Sequence, residues 1–145
     1  EIYMGDWSSD VCSSDLLDAL LLLARHLRGH RELAEPHRIS VDHFAQRVRC
    51  QMAGRPGWEL GDLAAWADSL DEPTVEVWRT PCGERVLVSV VGCTADGVPV
   101  EVFDGLAYSE GLFGAIPPAT TRTVSRVELA KAAARSASTT AEGAW

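Results

Sequence analysis

The chain has 145 residues and a formal net charge of -8, from 13 basic and 21 acidic residues. This length suits one compact domain with a modest core. Because duplex DNA and anionic membranes attract clustered lysine and arginine, the acidic balance argues against both as partners. The apolar runs are much shorter than the roughly eighteen residues that a membrane span requires, so we expect a soluble protein.

The N-terminal stretch has an unusual sequence. Residues 6–16 read Asp-Trp-Ser-Ser-Asp-Val-Cys-Ser-Ser-Asp-Leu. This segment resembles the in-frame translation of a short-read sequencing adapter, and the flanking positions extend the match over residues 1–16. The resemblance implies that residues 1–16 are not native and that the native start is missing; the alternative is a genuine acidic, serine-rich tail. Residues 1–16 contain four acids and no base, so the remaining 129 residues carry 13 bases and 17 acids, a net charge of -4.

A helix and a hairpin are predicted first. Residues 17–30 are rich in leucine, with Asp18 near the start, Arg25 and Arg28 near the end, and Gly29 as a stop, which is typical of a helix. Residues 39–42 and 47–52 alternate apolar and polar side chains, which predicts two strands joined around residues 43–46. We expect this hairpin to bury Ile39, Val41, Val48, Cys50 and Met52.

An amphipathic helix and three further strands follow. Apolar residues recur at helical spacing over residues 60–70 and Pro73 comes next, which predicts a helix lying on a sheet. Residues 74–80, 85–94 and 98–103 are apolar runs separated by turn residues. Asp96-Gly97 is a strong hairpin motif, because glycine tolerates the positive φ of a tight turn. These patterns predict a meander of three antiparallel strands.

Beyond the meander, residues 105–118 are rich in glycine, proline and aromatic side chains and predict a loop. Ser125 and Glu128 have the spacing of a capping box, with Val124 and Leu129 as its hydrophobic staple. We expect a short helix to about Arg135 and then a flexible tail. The predicted organisation is one domain over residues 17–120 and a C-terminal helix with its tail over residues 121–145.

Together these elements predict an α+β fold. Its small antiparallel sheet has about five strands in ββαβββ order, with an amphipathic helix packed on it and flanking N- and C-terminal helices. The run over residues 85–94 has apolar side chains on both faces, so either both faces are covered or one is buried against a partner. Trp66 is expected in the core. The candidate interaction surface consists of Trp78, Leu87 and Val91, since tryptophan often anchors interfaces.

The histidines and cysteines give little support for a metal or redox site. His26 and His30 have the i, i+4 spacing of metal ligands, but Gly29 ends the helix between them and a third ligand at diagnostic spacing is missing. We therefore expect neither a metal nor a cofactor. With the adapter set aside, three cysteines remain at positions 50, 82 and 93. An odd number without metal spacing favours reduced thiols and a cytoplasmic location.

A small enzyme is one alternative. The chain has no nucleophile elbow, phosphate-binding loop or dinucleotide fingerprint. An enzyme would have to use the thiol of Cys82 with His43 or His37 as its base, beside Asp104, in a pocket between glycine-rich loops. Nothing in their spacing brings these residues together, so the sequence favours a noncatalytic protein.

Three segments carry a resemblance to known sequences. They are His30-Arg-Glu-Leu to Ile39-Ser-Val-Asp, Leu63-Ala-Ala-Trp-Ala, and Val98-Pro-Val-Glu-Val-Phe-Asp-Gly-Leu. They resemble small proteins of actinobacteria and their phages with no assigned activity, over about residues 30–106. A single lysine against twelve arginines, typical of a high-GC genome, agrees with that origin. The resemblance implies an α+β fold and carries over no catalytic residue.

The leading functional hypothesis is a noncatalytic accessory or interaction domain that binds a protein partner or a second copy of the chain. The small enzyme is the first alternative. A phage regulator that mimics nucleic acid through surface carboxylates is the second, and the net charge of -4 weakens it.

Overall fold

A computed structural model of the chain describes residues 13–42, 44–55 and 57–143. These residues form an α+β fold with one six-stranded sheet and four helices. The helices are α1 (Ser13–Gly29), α2 (Glu59–Ser69), α3 (Glu110–Phe113) and α4 (Arg126–Gly143). The strands are β1 (Arg38–Asp42), β2 (Arg47–Gln51), β3 (Asp71–Arg79), β4 (Arg85–Cys93), β5 (Pro99–Ala107) and β6 (Thr121–Val124).

The sheet has the strand order β1-β2-β5-β4-β3-β6. Neighbouring strands are antiparallel except β2 and β5, which run parallel with Val48 opposite Val100. The predicted antiparallel, five-stranded sheet is therefore wrong in two respects, the parallel pair and the additional strand β6. The parallel pair arises because α2, β3 and β4 lie between β2 and β5 in the chain and supply the long connection that parallel neighbours need.

One face of the sheet forms the core with the helices. Alternate strand residues such as Val48, Val88 and Val102 are fully buried, and α2 buries Leu60, Leu63, Trp66 and Ala67 against them. The indole N–H of Trp66 donates to the carbonyl of Ala34 at 3.1 Å. The predicted amphipathic helix on a sheet and the predicted core position of Trp66 are both confirmed.

Helix α1 contacts α2 through His26, which is hydrogen-bonded to Ser69 at 3.0 Å. It buries Leu23 and His26, and its Arg25 forms an exposed ion pair with Asp96 at 3.5 Å. The helix begins at Ser13, four residues before the predicted start and inside the stretch attributed to the adapter. Residues 1–12 lie outside the described part of the chain, so the adapter origin stays a prediction.

The N-terminal hairpin pairs as predicted, with Val41 opposite Val48, while His43 in its turn lies outside the described residues. Val48, Cys50 and Met52 are buried, but Ile39 is 41% exposed. Ile39 is more exposed than predicted because β1 is an edge strand and has a neighbouring strand on one side only.

The connection from α2 to β3 is shorter than predicted. Strand β3 begins at Asp71, directly after Leu70 at the end of α2, so the chain crosses β4 closely. Gly92 makes this crossing fit, because a Cβ there would lie 2.9 Å from the Cβ of Leu70 and 3.0 Å from the carbonyl oxygen of Asp71. Just beyond the same end of β4, Gly97 has the positive φ of 85° expected in the turn to β5.

The C-terminal region differs from the predicted loop and short helix. Strand β5 extends to Ala107, and α3 lies within the segment predicted as a loop. The capping box is confirmed: the amide of Glu128 donates to Ser125 Oγ at 3.0 Å, and the amide of Ser125 donates to Glu128 Oε1 at 3.4 Å. Helix α4 continues past Arg135 to Gly143, because neither proline nor glycine interrupts it earlier.

Candidate functional site

The sheet face opposite the helices is the first candidate. Trp78, Leu87 and Val91 all lie on it; Trp78 is 36% exposed, and the other two are half-buried. Trp78 is directly opposite Leu87 across β3 and β4, and Val91 is opposite Glu101 of β5. Within residues 13–42, 44–55 and 57–143, no helix covers this open face. This side of the sheet is called the open face.

A charged cluster occupies the part of the open face formed by β2 and β5. Glu101 is only 6% exposed, and its Oε1 forms ion pairs with Arg49 Nε at 2.9 Å and with Arg47 Nη2 at 3.1 Å. The guanidinium of Arg49 also lies 4.4 Å from the centre of the Phe103 ring. Two arginines and one carboxylate leave this cluster with a net charge of +1, in a chain whose net charge is -8.

This cluster was not predicted from the sequence, although the sequence contains a signal for its two arginines. The alternation in Arg47-Val48-Arg49-Cys50 already places the two arginines on the face opposite the buried residues. The partner Glu101 was not predictable, because it depends on the parallel pairing of Arg49 with Glu101.

The second candidate is a cavity of about 490 Å³ at the edge of β5. Strand β2 ends at Gln51; the amide of Met52 still donates to the carbonyl of Phe103 at 3.0 Å, and the chain then turns at Gly54, whose φ is 69°. The last residues of β5 therefore lose their neighbour on that side, which opens the cavity. Its charged residues are Glu59, Arg85 and Asp104.

Asp104 is the most unusual side chain in this cavity. It is 5% exposed, and its Oδ1 accepts a hydrogen bond from the amide of Gly105 at 2.9 Å. Its Oδ2 is buried without a hydrogen-bond partner among the described residues. Burial raises the pKa of Asp104, and the nearby carboxylate of Glu59 raises this pKa further, while the hydrogen bond from Gly105 opposes the change.

Cys82 and Asp104, two members of the group considered for an enzyme, do not line the same cavity. Cys82 is exposed in the turn between β3 and β4 and does not line the cavity that contains Asp104. A hydrogen bond with Thr80, at 3.3 Å, lowers the pKa of the Cys82 thiol. His43 lies outside the described residues. Among the other cysteines, Cys50 is buried, and burial raises its pKa to about 12.

His26 of α1 and His30, which directly follows this helix, come together in a structural arrangement. The rings of His26 and His30 lie 4.4 Å apart, and His26 also stacks on Trp66 at 5.7 Å. His26 Nε2 is hydrogen-bonded to Ser69 Oγ at 3.0 Å, and His30 Nδ1 is hydrogen-bonded to the carbonyl of His26 at 2.9 Å. The described residues contain no group of three histidine, cysteine or acidic side chains arranged to share a metal ion.

Comparisons with protein-family profiles, curated proteins and solved structures find no match to this chain. In the described part of the chain, no helix combines the length and apolar character needed to cross a membrane. The function therefore has to be inferred from the open face and the cavity themselves.

Proposed function

We propose that this protein is a noncatalytic interaction domain and that its open face binds an acidic surface of a protein partner. The observation that carries the proposal is a sheet face that no described helix covers, on which Trp78 lies beside Leu87 at one position and Arg49 lies against Phe103 at another. Tryptophan and arginine are the side chains most often found at the energetic centres of protein interfaces.

The charge of the face favours an acidic partner. The cluster of Arg47, Arg49 and Glu101 carries a net positive charge, and both arginines are about one-third exposed on their side chains, at 29% and 35%. Complementary charges accelerate association and select among partners. A second copy of this acidic chain is a weaker match, because its overall charge of -8 opposes self-association at low salt.

Selection from a random peptide-display library tests the proposal and does not require the partner to be identified first. We expect the wild-type domain to enrich peptides that combine Asp or Glu with aromatic or aliphatic anchors. Trp78→Ala and Arg49→Gln should each weaken binding of the enriched peptides about tenfold, which corresponds to about 1.4 kcal/mol. Binding should also weaken as the salt concentration rises.

Matched controls separate the open face from the rest of the surface. Trp58 is 60% exposed near the start of α2, and the side chain of Arg25 on α1 is 72% exposed. Trp58→Ala and Arg25→Gln should therefore leave peptide binding unchanged. Equal losses in the controls would contradict the proposal, as would a failure to enrich acidic peptides. A stable dimer that Trp78→Ala dissociates would replace the acidic partner by a second copy.

A further inference from the structure

The cavity at the edge of β5 contains a buried acid that the open face does not explain. Asp104 Oδ2 is shielded from solvent and has no donor among the described residues, although Oδ1 of the same carboxylate is hydrogen-bonded. A buried polar atom without a partner is unfavourable by about 1–3 kcal/mol. A donor from the cavity could reach this carboxylate after a small rotation of the Asp104 side chain, and it would then remove the penalty.

Two further charges line the same cavity. Glu59 is the first residue of α2 and adds a second carboxylate, whose charge acts on Asp104. Arg85 contributes the opposite charge, with its Nη2 lying 3.4 Å from the position that a Cβ of Gly105 would occupy. Arg85 forms no ion pair with any residue that the structure describes. The cavity thus combines two carboxylates with one arginine that has no carboxylate partner there.

We propose that this cavity binds a small zwitterion, with its protonated amino group donating to Asp104 and Glu59 and its acidic group pairing with Arg85. The donor would complete the hydrogen bonding of Oδ2, and the two carboxylates together suit an ammonium better than a neutral amide. The carboxylate or phosphate end suits the planar guanidinium, which binds such groups through two parallel hydrogen bonds. The cavity volume of about 490 Å³ lies within the range typical of small-molecule sites.

Asp104 also has a local structural role, because its Oδ1 accepts a hydrogen bond from the amide of Gly105 at 2.9 Å and lies 3.5 Å from the position that a Cβ of Gly54 would occupy. That role uses the acceptor capacity of the carboxylate and needs neither Glu59 nor Arg85. The ligand proposal requires all three side chains, so the variants at positions 59 and 85 distinguish the two roles.

Titration of the ¹⁵N-labelled full chain with ω-amino acids tests the proposal. The probes are 4-aminobutyrate and 6-aminohexanoate, with n-butylammonium and butyrate as molecules that carry one charge each. We expect at least one zwitterion to shift the amide resonances of Gly54 and Gly105. It should bind several-fold more tightly than n-butylammonium and far more tightly than butyrate. Asp104→Asn should weaken zwitterion binding about tenfold or more.

Glu59→Gln and Arg85→Gln keep the test decisive if Asp104→Asn fails to fold. Glu59→Gln should weaken binding of both kinds of probe that carry an amine. Arg85→Gln should abolish the advantage of the zwitterion over n-butylammonium while leaving n-butylammonium binding intact. Asp68→Asn is the control, since Asp68 is an exposed carboxylate on the same helix, paired with Arg126 outside the cavity.

Three results would overturn the proposal. The first is the absence of cavity shifts at probe concentrations up to about 10 mM, a limit that includes weak ligands. The second is zwitterion binding that either Glu59→Gln or Arg85→Gln leaves at the wild-type level. The third is a cavity that responds to Mg²⁺ and to none of the organic probes.

Discussion

Replacing Gly92 by alanine should destabilise the protein, whereas the same replacement at Gly61 should stabilise it. A Cβ at position 92 would lie 2.9 Å from the Cβ of Leu70 and 3.0 Å from the carbonyl oxygen of Asp71. Both distances are shorter than normal contacts, and the second atom belongs to the backbone, which cannot rotate away. Overpacking of this kind costs about 1–3 kcal/mol, and the general preference for alanine over glycine within a strand offsets about 0.5–1 kcal/mol of it. The expected net loss is centred on about 1 kcal/mol, within a range of about 0–2.5 kcal/mol.

Gly61 provides the matched control. It is exposed within α2, and a Cβ there would meet no atom within 4 Å. Alanine at this position should therefore raise the free energy of unfolding by about 0.5–1 kcal/mol through helix propensity alone. Thermal and urea unfolding of the two variants measure both effects; for a domain of this size, about 1 kcal/mol corresponds to about 4 °C in Tm. A Gly92→Ala protein as stable as the wild type would refute the close crossing of the α2–β3 connection over β4.

Two further predictions concern pH. Burial, and then the neighbouring His30, hold the pKa of His26 below its usual value of 6.5. The stability that neutral His26 contributes should therefore be complete above about pH 6.5 and decline as the pH falls through the folded-state pKa. Urea unfolding at several pH values should show a smaller decline in the free energy of unfolding for His26→Gln than for the wild type. An identical decline in both proteins would contradict the assignment of this pH dependence to His26. The pH dependence expected for Asp104 runs in the opposite direction, because its pKa is raised on folding. Its contribution to the free energy of unfolding should be complete below the unfolded-state pKa of 3.8 and lost as the pH rises through the folded-state pKa. The stability of Asp104→Asn relative to the wild type should accordingly increase from acidic to neutral pH, and a pH-independent difference between the two proteins would rule out this account.

Local sequence patterns predicted the elements whose causes are local. The capping box of Ser125 and Glu128 and the turn at Gly97 involve residues within a few positions of each other, and both are confirmed. Helix α2 was predicted to within one residue at each end, because its apolar spacing and Pro73 lie in one short segment.

The errors concern contacts between distant parts of the chain. The alternation in β2 is the same for a parallel or an antiparallel neighbour, so the pairing of Val48 with Val100 left no local trace. Strand β6 has four residues, of which only Val124 is buried, and this is too little apolar pattern to identify a strand.

In the candidate sites too, the features with local causes were predicted and those that depend on distant contacts were not. The strand alternation placed Leu87 and Val91 on one face, and Trp78 was selected separately as a possible interface anchor; all three lie on the open face. Asp104 was singled out from the sequence with Cys82 and His43, whereas its neighbours in the cavity are Glu59 and Arg85. The cavity exists because β2 ends before β5 does, and the relative ends of two strands from distant segments depend on tertiary packing.

The parallel pairing of β2 with β5 determines the order in which the sheet can assemble during synthesis. The N-terminal hairpin emerges from the ribosome first, but its partner strand begins only at Pro99. At about 5–20 residues per second, the inner edge of β2 therefore stays without its neighbour for about 2–10 s. Strands β3 and β4 can pair with each other in that interval, because they are adjacent in the chain. Strand β5 then connects the hairpin to β4, so truncations before Val100, the first residue of β5 that pairs with β2, should leave the hairpin unattached to the rest of the sheet.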